Sequence, residues 1–437
     1  MRLPLAVLVF LLGTLVAHAN DEPRPLVELR VEGDSKVTVT TALRLARISI
    51  GDPITPAMIP RLEQALLTSN LFKSAKVRLE DAPDGNGTIV VCVLDDKLSW
   101  IVAPTLYLLP SSWSFGVGFA ENNLFGAEKK LLLYGQVGNQ TSLFFGTYFD
   151  PAVRGSKLQL RFDVYLLHRS IREFKNPQDD ATDYTVDRDT KWNFLDVGAL
   201  AGWRWYWWLI GDVRFKPAYA FFTQVQTDDP VLAEKPDRDG WDVSAQARIT
   251  IDRRRNRHGV TWGPYLQLIT DVSVPGLDDY GYQVFAGRAY YSFKFFEEHQ
   301  LEFRVSGGIG RHLPVHEELV LGGVSDIRGY IADQFRGDRR GMARVEYSWP
   351  LFKWRSFAFR GLGFFDAGYI GFHWRDPETR VYLPTQYDGA SWTRTDVGAG
   401  FRIYVGSVVL PLLGLDIARG IEGKRTEVVF EVGITDF

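Results

Sequence analysis

The stretch Met342–Trp349, with the sequence MARVEYSW, alternates apolar and polar side chains along its whole length. Successive side chains of a β-strand point to opposite faces of the sheet. The apolar face therefore carries Ala343, Val345, Tyr347 and Trp349, and the polar face carries Arg344, Glu346 and Ser348. An apolar outer face with a polar inner face is typical of a transmembrane barrel strand, although a soluble antiparallel sheet that covers a core shows the same alternation.

Segments of about ten residues with this character recur from Trp100 onward, separated by Gly, Pro, Asn and Asp. The clearest are Ser114–Ala120, Lys130–Gly138, Thr141–Phe149, Leu158–Leu166, Val243–Ile251, Tyr282–Phe293, Leu301–Ile309, Met342–Trp349, Phe357–Tyr369, Asp396–Val405 and Thr426–Phe437. In the last, one face carries Val428, Phe430, Val432 and Ile434, and the other carries Glu427, Glu431 and Thr435. Roughly 340 residues at about 21 per strand and connection predict about 16 strands.

The composition favours a membrane barrel over a soluble β-protein. The chain has 437 residues, including 13 Trp, 18 Tyr, 29 Phe and 41 Gly. Beyond the N-terminal segment, no apolar run reaches the about 18 residues that indicate a transmembrane helix. Aromatic side chains concentrate where a barrel meets the membrane interface, and Trp203–Trp208 has the character of such a girdle. We therefore expect a transmembrane antiparallel β-barrel, with a soluble β-sandwich or barrel as the alternative.

The long polar connections predict the orientation of the barrel. Counting strands from Trp100, every long connection joins an odd strand to the next even one, namely Lys175–Lys191, Thr227–Gly240, Arg311–Arg340 and His373–Ser391. Because alternate connections of an antiparallel barrel lie at the same end, all four are expected outside the cell. The connections between them are mostly short, as at Phe296–His299.

The N-terminus has the features of an export signal. Arg2 provides the positive start, Leu3–Val16 is mostly apolar, and Ala17-His18-Ala19 has the small-x-small pattern of a cleavage site. We expect residues 1–19 to be a signal peptide, and the localisation to be the bacterial outer membrane.

Residues 20–97 combine helical and strand patterns, which predict a small α+β domain in the periplasm. Leu26–Val31 indicates a strand, Thr40–Arg47 a helix, and Thr55 or Pro56 opens a second helix. Two further strands follow at Ala75–Leu79 and Thr88–Leu94, joined by a hairpin turn at Asp84–Gly87. The expected element order is β-α-α-β-β, and the barrel is expected to occupy residues 98–437.

Several function classes are disfavoured by what the chain contains. Cys92 is the single cysteine, which excludes an internal disulfide and a cysteine zinc site. The net charge of −3 gives nucleic acid no electrostatic attraction. Neither a nucleophilic serine motif, a zinc-protease motif nor a phosphate-binding glycine loop is present. We expect neither an enzyme nor a cofactor or metal site.

One loop carries a specific resemblance. Leu321–Tyr330, with the sequence LGGVSDIRGY, resembles the Arg-Gly-Tyr or Arg-Gly-Phe loop motif of the BamA/TamA outer-membrane assembly superfamily. Glu346–Pro350, Phe364–Gly368 and Gly398–Arg402 resemble the strands that follow it, and Asn122–Gly126 resembles an early turn. Residues 26–97 look like one POTRA domain, where such proteins often carry several. The resemblance therefore spans nearly all of the mature chain.

The resemblance implies that the loop folds back into the barrel. The motif residues are Gly322, Gly323, Ile327, Arg328, Gly329 and Tyr330. A guanidinium inside a barrel needs carboxylate partners, and Glu346 and Asp366 lie on the polar faces of the two following strands. The glycines permit a tight backbone. The alternative is that Arg328 is one solvated loop charge among many.

The resemblance also implies a function and an assembly signal. We expect assembly or insertion of outer-membrane proteins, or polypeptide translocation, with unfolded polypeptides, outer-membrane lipid and periplasmic partners of the POTRA domain as the binding partners. The alternatives are a two-partner-secretion-like exporter and a passive pore or structural barrel. Phe430 and the terminal Phe437 resemble a C-terminal signal for barrel assembly, although Phe437 is out of phase with Phe430 by one residue.

Overall fold

The computed structural model describes residues 22–69, 71–109, 112–174, 186–257, 260–296, 298–355, 357–373, 391–405 and 411–432. The predicted signal peptide and Phe437 lie outside these described residues, as do parts of the two long connections after Phe174 and His373. The chain forms two compact units. The first contains residues up to Ser99 together with Phe125–Glu128, and the second contains the remainder.

The first unit is a small α+β domain. Its elements are β1 (Arg24–Asp34), α1 (Val39–Ala46), β2 (Pro53–Ile54), α2 (Ile59–Thr68), β3 (Phe72–Asp81) and β4 (Thr88–Asp96), with a short 3₁₀ turn at Pro56–Met58. The predicted order is confirmed, and the two-residue β2 is an addition. The second helix begins later than predicted, because the 3₁₀ turn takes up the residues around Pro56. Neither described helix is long and apolar enough to cross a membrane.

Both helices of this domain pack one apolar face against the four-stranded sheet, whose order is β2-β1-β4-β3. The side-chain oxygen of Thr38 accepts a hydrogen bond from the Thr41 amide and caps α1 at its N-terminus. In α2, Leu62 and Leu66 are buried four residues apart, as the helical repeat requires. Cys92 lies in the same core, and burial raises the pKa of its thiol to about 12, so the thiol stays protonated and unreactive.

The second unit is a β-barrel with two short strands in one of its loops. Its strands are β5 (Trp100–Leu109), β6 (Ser112–Leu124), β7 (Lys129–Gly138), β8 (Thr141–Asp150), β9 (Leu158–Phe174), β10 (Val186–Tyr206), β11 (Leu209–Gln226), β12 (Gly240–Asp252), β13 (Arg255–Arg257), β14 (Val260–Ser273), β15 (Gln283–Phe295), β16 (His299–Arg311), β17 (Leu319–Leu321), β18 (Phe335–Gly337), β19 (Arg339–Trp354), β20 (Phe357–Gly371), β21 (Ser391–Val405), β22 (Pro411–Gly420) and β23 (Thr426–Val432).

Sixteen strands of the described chain close the barrel, which confirms the predicted fold class. Each strand pairs antiparallel with its neighbours in chain order, and β12 pairs directly with β14 beside the three-residue β13. The last strand meets the first through Phe430 opposite Leu108, Glu431 opposite Tyr107 and Val432 opposite Leu106. The short β17 and β18 pair only with each other, within the connection between β16 and β19.

The alternation predicted for Met342–Trp349 is confirmed in β19. Val345 and Tyr347 are exposed on the outer surface, whereas Met342 and Arg344 are buried inside. The described strand ends that flank the four long connections all lie at the same end of the barrel, because the strands alternate in direction. A closed antiparallel sheet pairs its backbone groups between neighbouring strands, as lipid requires.

Three neighbouring strands are the longest of the described barrel and far exceed the about ten residues expected for a membrane strand. The strands β9, β10 and β11 have 17, 21 and 18 residues. A strand rises about 3.3 Å per residue, so these three extend well beyond a hydrocarbon layer of about 30 Å even when they are tilted. They therefore continue the sheet into the region of the long connections.

We predict that residues 20–98 fold alone and that Leu66 is essential to this fold. The Leu66 side chain is fully buried, whereas that of Leu67 is 38% exposed and provides a matched control. Replacing a buried leucine by alanine costs about 2–5 kcal/mol, which is a large share of the stability of a domain this small. Amide exchange should show protection in the wild-type fragment and after Leu67→Ala, and its loss after Leu66→Ala. An unprotected wild-type fragment would refute the domain boundary.

Candidate functional site

The connection between β16 and β19, residues 312–338, turns back into the barrel. Arg328 in this loop contacts Glu346 and Asp366, whose side chains lie on the inner faces of β19 and β20. Ile327 is fully buried, and Arg328 is only 2% exposed to solvent. The loop therefore occupies the lumen of the barrel.

Glycines permit the sharp turn that begins the loop motif. Gly322 has φ +122° and Gly323 has φ +94°, in the region that favours glycine. A Cβ atom at Gly322 would lie 2.2 Å from the Ile331 carbonyl oxygen. The Gly323 amide donates to the carbonyl oxygens of Ile327 and Tyr330, each at 3.2 Å, and so closes the turn.

Apolar and aromatic side chains fix the motif on either side of Arg328. Ile327 and Tyr330 pack in a buried cluster that also contains Phe335 of β18 and Trp392 of β21. The Tyr330 hydroxyl donates to a carboxylate oxygen of Glu422 at 2.7 Å. Burial raises the pKa of the Tyr330 phenol, which therefore remains a hydrogen-bond donor.

Arg328 is the buried centre of this arrangement. Its Nε donates to Asp366 Oδ2 at 3.0 Å. Its Nη1 lies 3.1 Å from Glu346 Oε2 and 3.2 Å from Asp416 Oδ2. The guanidinium plane also stacks on Phe364, with Cζ 3.2 Å from the ring centroid. The structure thus brings together the three charged residues that the sequence singled out, and adds Asp416 and Phe364.

Two more arginines extend the site into an array of alternating charge. Arg344 binds Asp366 through Nε at 2.7 Å and Nη2 at 3.1 Å. Arg402 binds Asp416 through Nη1 at 2.5 Å and Nη2 at 2.7 Å. Arg328 lies between the two aspartates, so each carboxylate serves two guanidinium groups. Such sharing offsets the desolvation that an isolated buried charge would suffer.

Gly329 lets the loop backbone approach the barrel wall. Its amide donates to Asp396 Oδ2 at 2.8 Å, and Asp396 is fully buried on β21. A Cβ atom at Gly329 would lie 2.5 Å from the backbone nitrogen of Gly420. Glycine is therefore required at this position by close approach, whereas Gly322 and Gly323 are required by backbone angle.

The electrostatics of the site keep Arg328 charged. Burial by itself lowers the pKa of the guanidinium, and the carboxylates of Asp366, Glu346 and Asp416 outweigh this effect, so that the pKa is raised overall. The carboxylates of the array hold the guanidinium of Arg328 in place. This geometry is suited to fastening the loop.

The sequence reasoning missed Asp416, Asp396 and Phe364. Asp416 was detectable as the single charge in the otherwise apolar stretch Leu412–Ile417 of β22. Asp396 is the carboxylate at the start of a predicted strand, and Phe364 shares the inner face with Asp366 two residues later. No motif connects them, because they meet the Arg328–Gly329 segment only through the curvature of the closed sheet.

Of the two C-terminal residues that the sequence predicts as an assembly signal, the structure describes only Phe430. Phe430 lies in β23, opposite Leu108 of the first barrel strand, and is half-buried. Phe437 lies outside the described residues. The role of both residues in barrel assembly stays a prediction.

Comparison with known proteins identifies the family. The sequence matches the Omp85 superfamily domain over residues 123–435, more than half of the chain. The chain belongs to the Omp85 superfamily. This family assignment confirms the resemblance seen in the loop motif, and it places the barrel in the outer membrane.

A curated member of the family and several solved structures are similar to this chain. The outer membrane protein assembly factor BamA of Nitratidesulfovibrio vulgaris is 24% identical over 348 residues, which cover 73% of this chain and 41% of that protein. This Omp85 chain thus spans about two fifths of the length of that relative.

The similar structures share the fold at low sequence identity. BamA from Haemophilus ducreyi lacking POTRA domains 1–3 has a TM-score of 0.63 at 12% identity, covering 94% of this chain and 84% of that one. CdiB from Acinetobacter baumannii has a TM-score of 0.61 at 13% identity, covering 94% and 74%. CdiB from Escherichia coli has a TM-score of 0.64 at 12% identity, covering 94% and 76%.

We predict that removing Asp366 loosens the loop more than removing Glu346. Asp366 is fully buried and serves two arginines, whereas Glu346 is 26% exposed and makes one bond to Arg328. Breaking a buried pair costs about 3–5 kcal/mol, against about 0–1 for an exposed pair. Asp366→Ala and Arg328→Ala should therefore expose the loop to external protease, and the double variant should be little worse than either single one. Arg328→Lys should rescue only in part, because lysine lacks the planar fork.

The matched control for this prediction is Lys235→Ala, which removes an exposed ion pair with Asp239 in another long connection. It should leave protease protection and heat-resistant gel mobility unchanged. If the Asp366 and Arg328 variants also leave both unchanged, or if their effects simply add, then this pair does not hold the loop.

Proposed function

We propose that this Omp85 protein assembles or inserts outer-membrane proteins, or passes polypeptides across the outer membrane. The observation that carries the proposal is the junction between the first and last barrel strands. Among the described residues, β23 meets β5 only near Leu106–Leu108, whereas β5 pairs with β6 along its whole length. We infer that a substrate strand binds by β-augmentation at this junction, where the first and last strands of the barrel meet.

The loop that carries Arg328 has a complementary role in this proposal. It fills part of the lumen, and a polar cavity of about 350 Å³ lies between it and the wall that contains Thr105, Tyr134 and Arg169. A cavity of this size is smaller than a polypeptide requires. We infer that Arg328, Glu346 and Asp366 retain the loop inside a closed barrel and that transport requires the loop to move.

The N-terminal unit is proposed to be a periplasmic POTRA domain over residues 20–97, preceded by a signal peptide at 1–19 and followed by the barrel at 98–437. Its sheet ends in β3, which pairs with β4 on one side only among the described strands. An open sheet edge can add a strand from a polypeptide or a periplasmic partner. The fold match to BamA from Haemophilus ducreyi over 94% of this chain supports this proposal.

The proposed activity involves no catalysis and no cofactor. Folding at a barrel junction needs a template and an exit into lipid, and the alternating charges around Arg328 provide anchoring rather than chemistry. The second candidate function is export of one secreted polypeptide. A passive pore is the third candidate.

Site-specific crosslinking in cells tests the main proposal. A photocrosslinking residue at Leu108, which is 41% exposed beside the junction, should capture nascent outer-membrane chains. The matched control is Val213, which is 56% exposed on β11 in a different wall of the barrel, and it should capture none. Equal capture at both positions would contradict a role for the junction.

Depletion of the protein distinguishes the three candidates. General loss of outer-membrane proteins is the expected result for an assembly factor. Loss of one secreted polypeptide with normal outer-membrane proteins indicates an exporter. Unchanged levels of both classes, together with a changed permeability to small solutes, indicate a passive pore.

A further inference from the structure

A second cluster of buried polar groups lies in the same lumen and is separate from the Arg328 array. It involves the first part of the loop, residues 312–318, which we call the stem; residues 326–330 are the tip. The stem contains a short 3₁₀ turn at Val315–Glu317. Val315 is 1% exposed, and the side chain of His316 is fully buried. The stem therefore inserts as deeply as the tip does.

His316 binds an aspartate on the inner wall. Its Nε2 lies 3.1 Å from Oδ2 of Asp242, a fully buried residue of β12. The hydroxyl of Tyr282 donates to the other oxygen of Asp242 at 2.9 Å. Both oxygens of the Asp242 carboxylate thus accept hydrogen bonds, one from the stem and one from Tyr282.

A lysine and a glutamate make the second contact between stem and wall. Nζ of Lys216, on β11, lies 2.9 Å from Oε1 of Glu317. It also lies 3.6 Å from Asp242 Oδ2 and 3.1 Å from the Tyr282 hydroxyl. Lys216 is 8% exposed and Glu317 is 26% exposed, so the ammonium group is the desolvated member of the pair and depends on its carboxylate partners.

Aromatic rings enclose the imidazole of His316. The ring centroids of Tyr280 and Trp192 lie 4.9 Å and 5.3 Å from it, and those of Phe194 and Phe222 lie 6.2 Å and 6.4 Å from it. A side chain of another shape would leave a cavity among these rings or collide with them. The cage therefore selects for a flat ring that also carries an N–H donor.

The two clusters lie on different walls of the barrel. The stem contacts β11 and β12, whereas Arg328 in the tip contacts β19, β20 and β22. In the barrel order, β14, β15 and β16 separate these walls on one side, and the strands from β23 through β5 to β10 separate them on the other. The clusters share no residue.

A divalent cation is the competing occupant of the stem cluster. One ligand atom from each of Asp242, His316 and Glu317 lies within 4.8 Å of the other two. The ammonium group of Lys216, however, already lies between the two carboxylates and supplies the positive charge that a metal would bring. The chain itself therefore provides a cation at the place where a metal would bind.

We propose that the loop is held at two independent points, and that His316 and Glu317 position its stem against Asp242 and Lys216 while Arg328 positions its tip. Release of Arg328 then swings the tip about a stem that stays in place, and the loop opens as a hinged flap instead of leaving the lumen. This inference concerns how the loop is held, and it stands whether or not the barrel handles polypeptides.

Hydrogen exchange measured by mass spectrometry on the full-length protein in detergent micelles tests the proposal. His316→Leu should raise exchange in the stem by about tenfold or more, since it removes a donor from a buried carboxylate. Exchange in the tip should stay within about twofold of the wild type. Arg328→Ala should give the opposite pattern. Peptides from β5 to β8 report whether the barrel itself has folded.

Two further variants separate anchoring from simple packing. His316→Gln keeps an N–H donor toward Asp242 and should restore most of the stem protection that His316→Leu loses. Lys216→Met and Glu317→Leu should each deprotect the stem. The double variant should be milder than Lys216→Met, because it also removes one of the two carboxylates that Lys216 pairs with. His168→Leu, at an exposed position on β9, is the matched control for the histidine substitution.

The outcomes are distinct. If His316→Leu and Arg328→Ala each deprotect stem and tip equally, the loop is one cooperative unit and the two-point proposal is wrong. If the stem keeps its protection in His316→Leu and in both single charge variants, the stem contacts hold nothing. If EDTA deprotects the stem and Zn²⁺ restores it, a metal and not Lys216 holds the cluster. If His316→Leu does not fold, the charge variants test the stem contacts instead. A double variant that is milder than Lys216→Met supports the ion pair, and one that is more severe contradicts it.

Discussion

The rest of the lumen depends on one constraint, which is that the guanidinium of Arg328 has almost no contact with bulk water. Such a charge is stable only if carboxylates replace its hydration shell. Asp366, Glu346 and Asp416 provide them, and Arg344 and Arg402 in turn neutralise the aspartates. The strands β19 to β22 therefore carry a fixed pattern of inward charges, and their outer faces are left to meet the lipid.

This constraint also explains why glycine occurs where it does. A guanidinium can reach three carboxylates on different strands only if the loop backbone lies against the wall. Gly329 permits that approach, since any side chain there would meet the backbone of Gly420. Gly322 provides the reversal of direction by its positive φ. The glycines and the charged residues thus depend on one another. Without the glycines, the guanidinium does not reach the carboxylates, and without the carboxylates, the close approach of the loop has no ion pair to hold it.

Much of the barrel follows from local patterns in the sequence. The alternation in Met342–Trp349 correctly gives the inner and outer faces of β19, because the period of two belongs to the strand itself. The lengths of β9, β10 and β11 were not predictable, since their outer parts lie beyond the membrane and lose its apolar signature. The role of Asp416 could not be predicted, because its partner Arg328 lies 88 residues away in the sequence and no local pattern links the two. Lys216, Asp242 and His316 were missed for the same reason, as three segments converge only once the barrel has closed.

The chemistry of the two loop contacts differs, and the difference bears on how the loop moves. Around Arg328, the two aspartates are each shared by two cations, so the tip can leave while Arg344 still pairs with Asp366 and Arg402 still pairs with Asp416. Both aspartates then keep a cationic partner, and release of the tip costs less than if each aspartate paired with Arg328 alone. Around His316, Lys216 bridges Glu317 of the stem and Asp242 of the wall, and aromatic rings close off water. Removal of the stem would leave Asp242 buried with fewer partners. The tip is therefore the end of the loop that can open, and the stem is the end that stays.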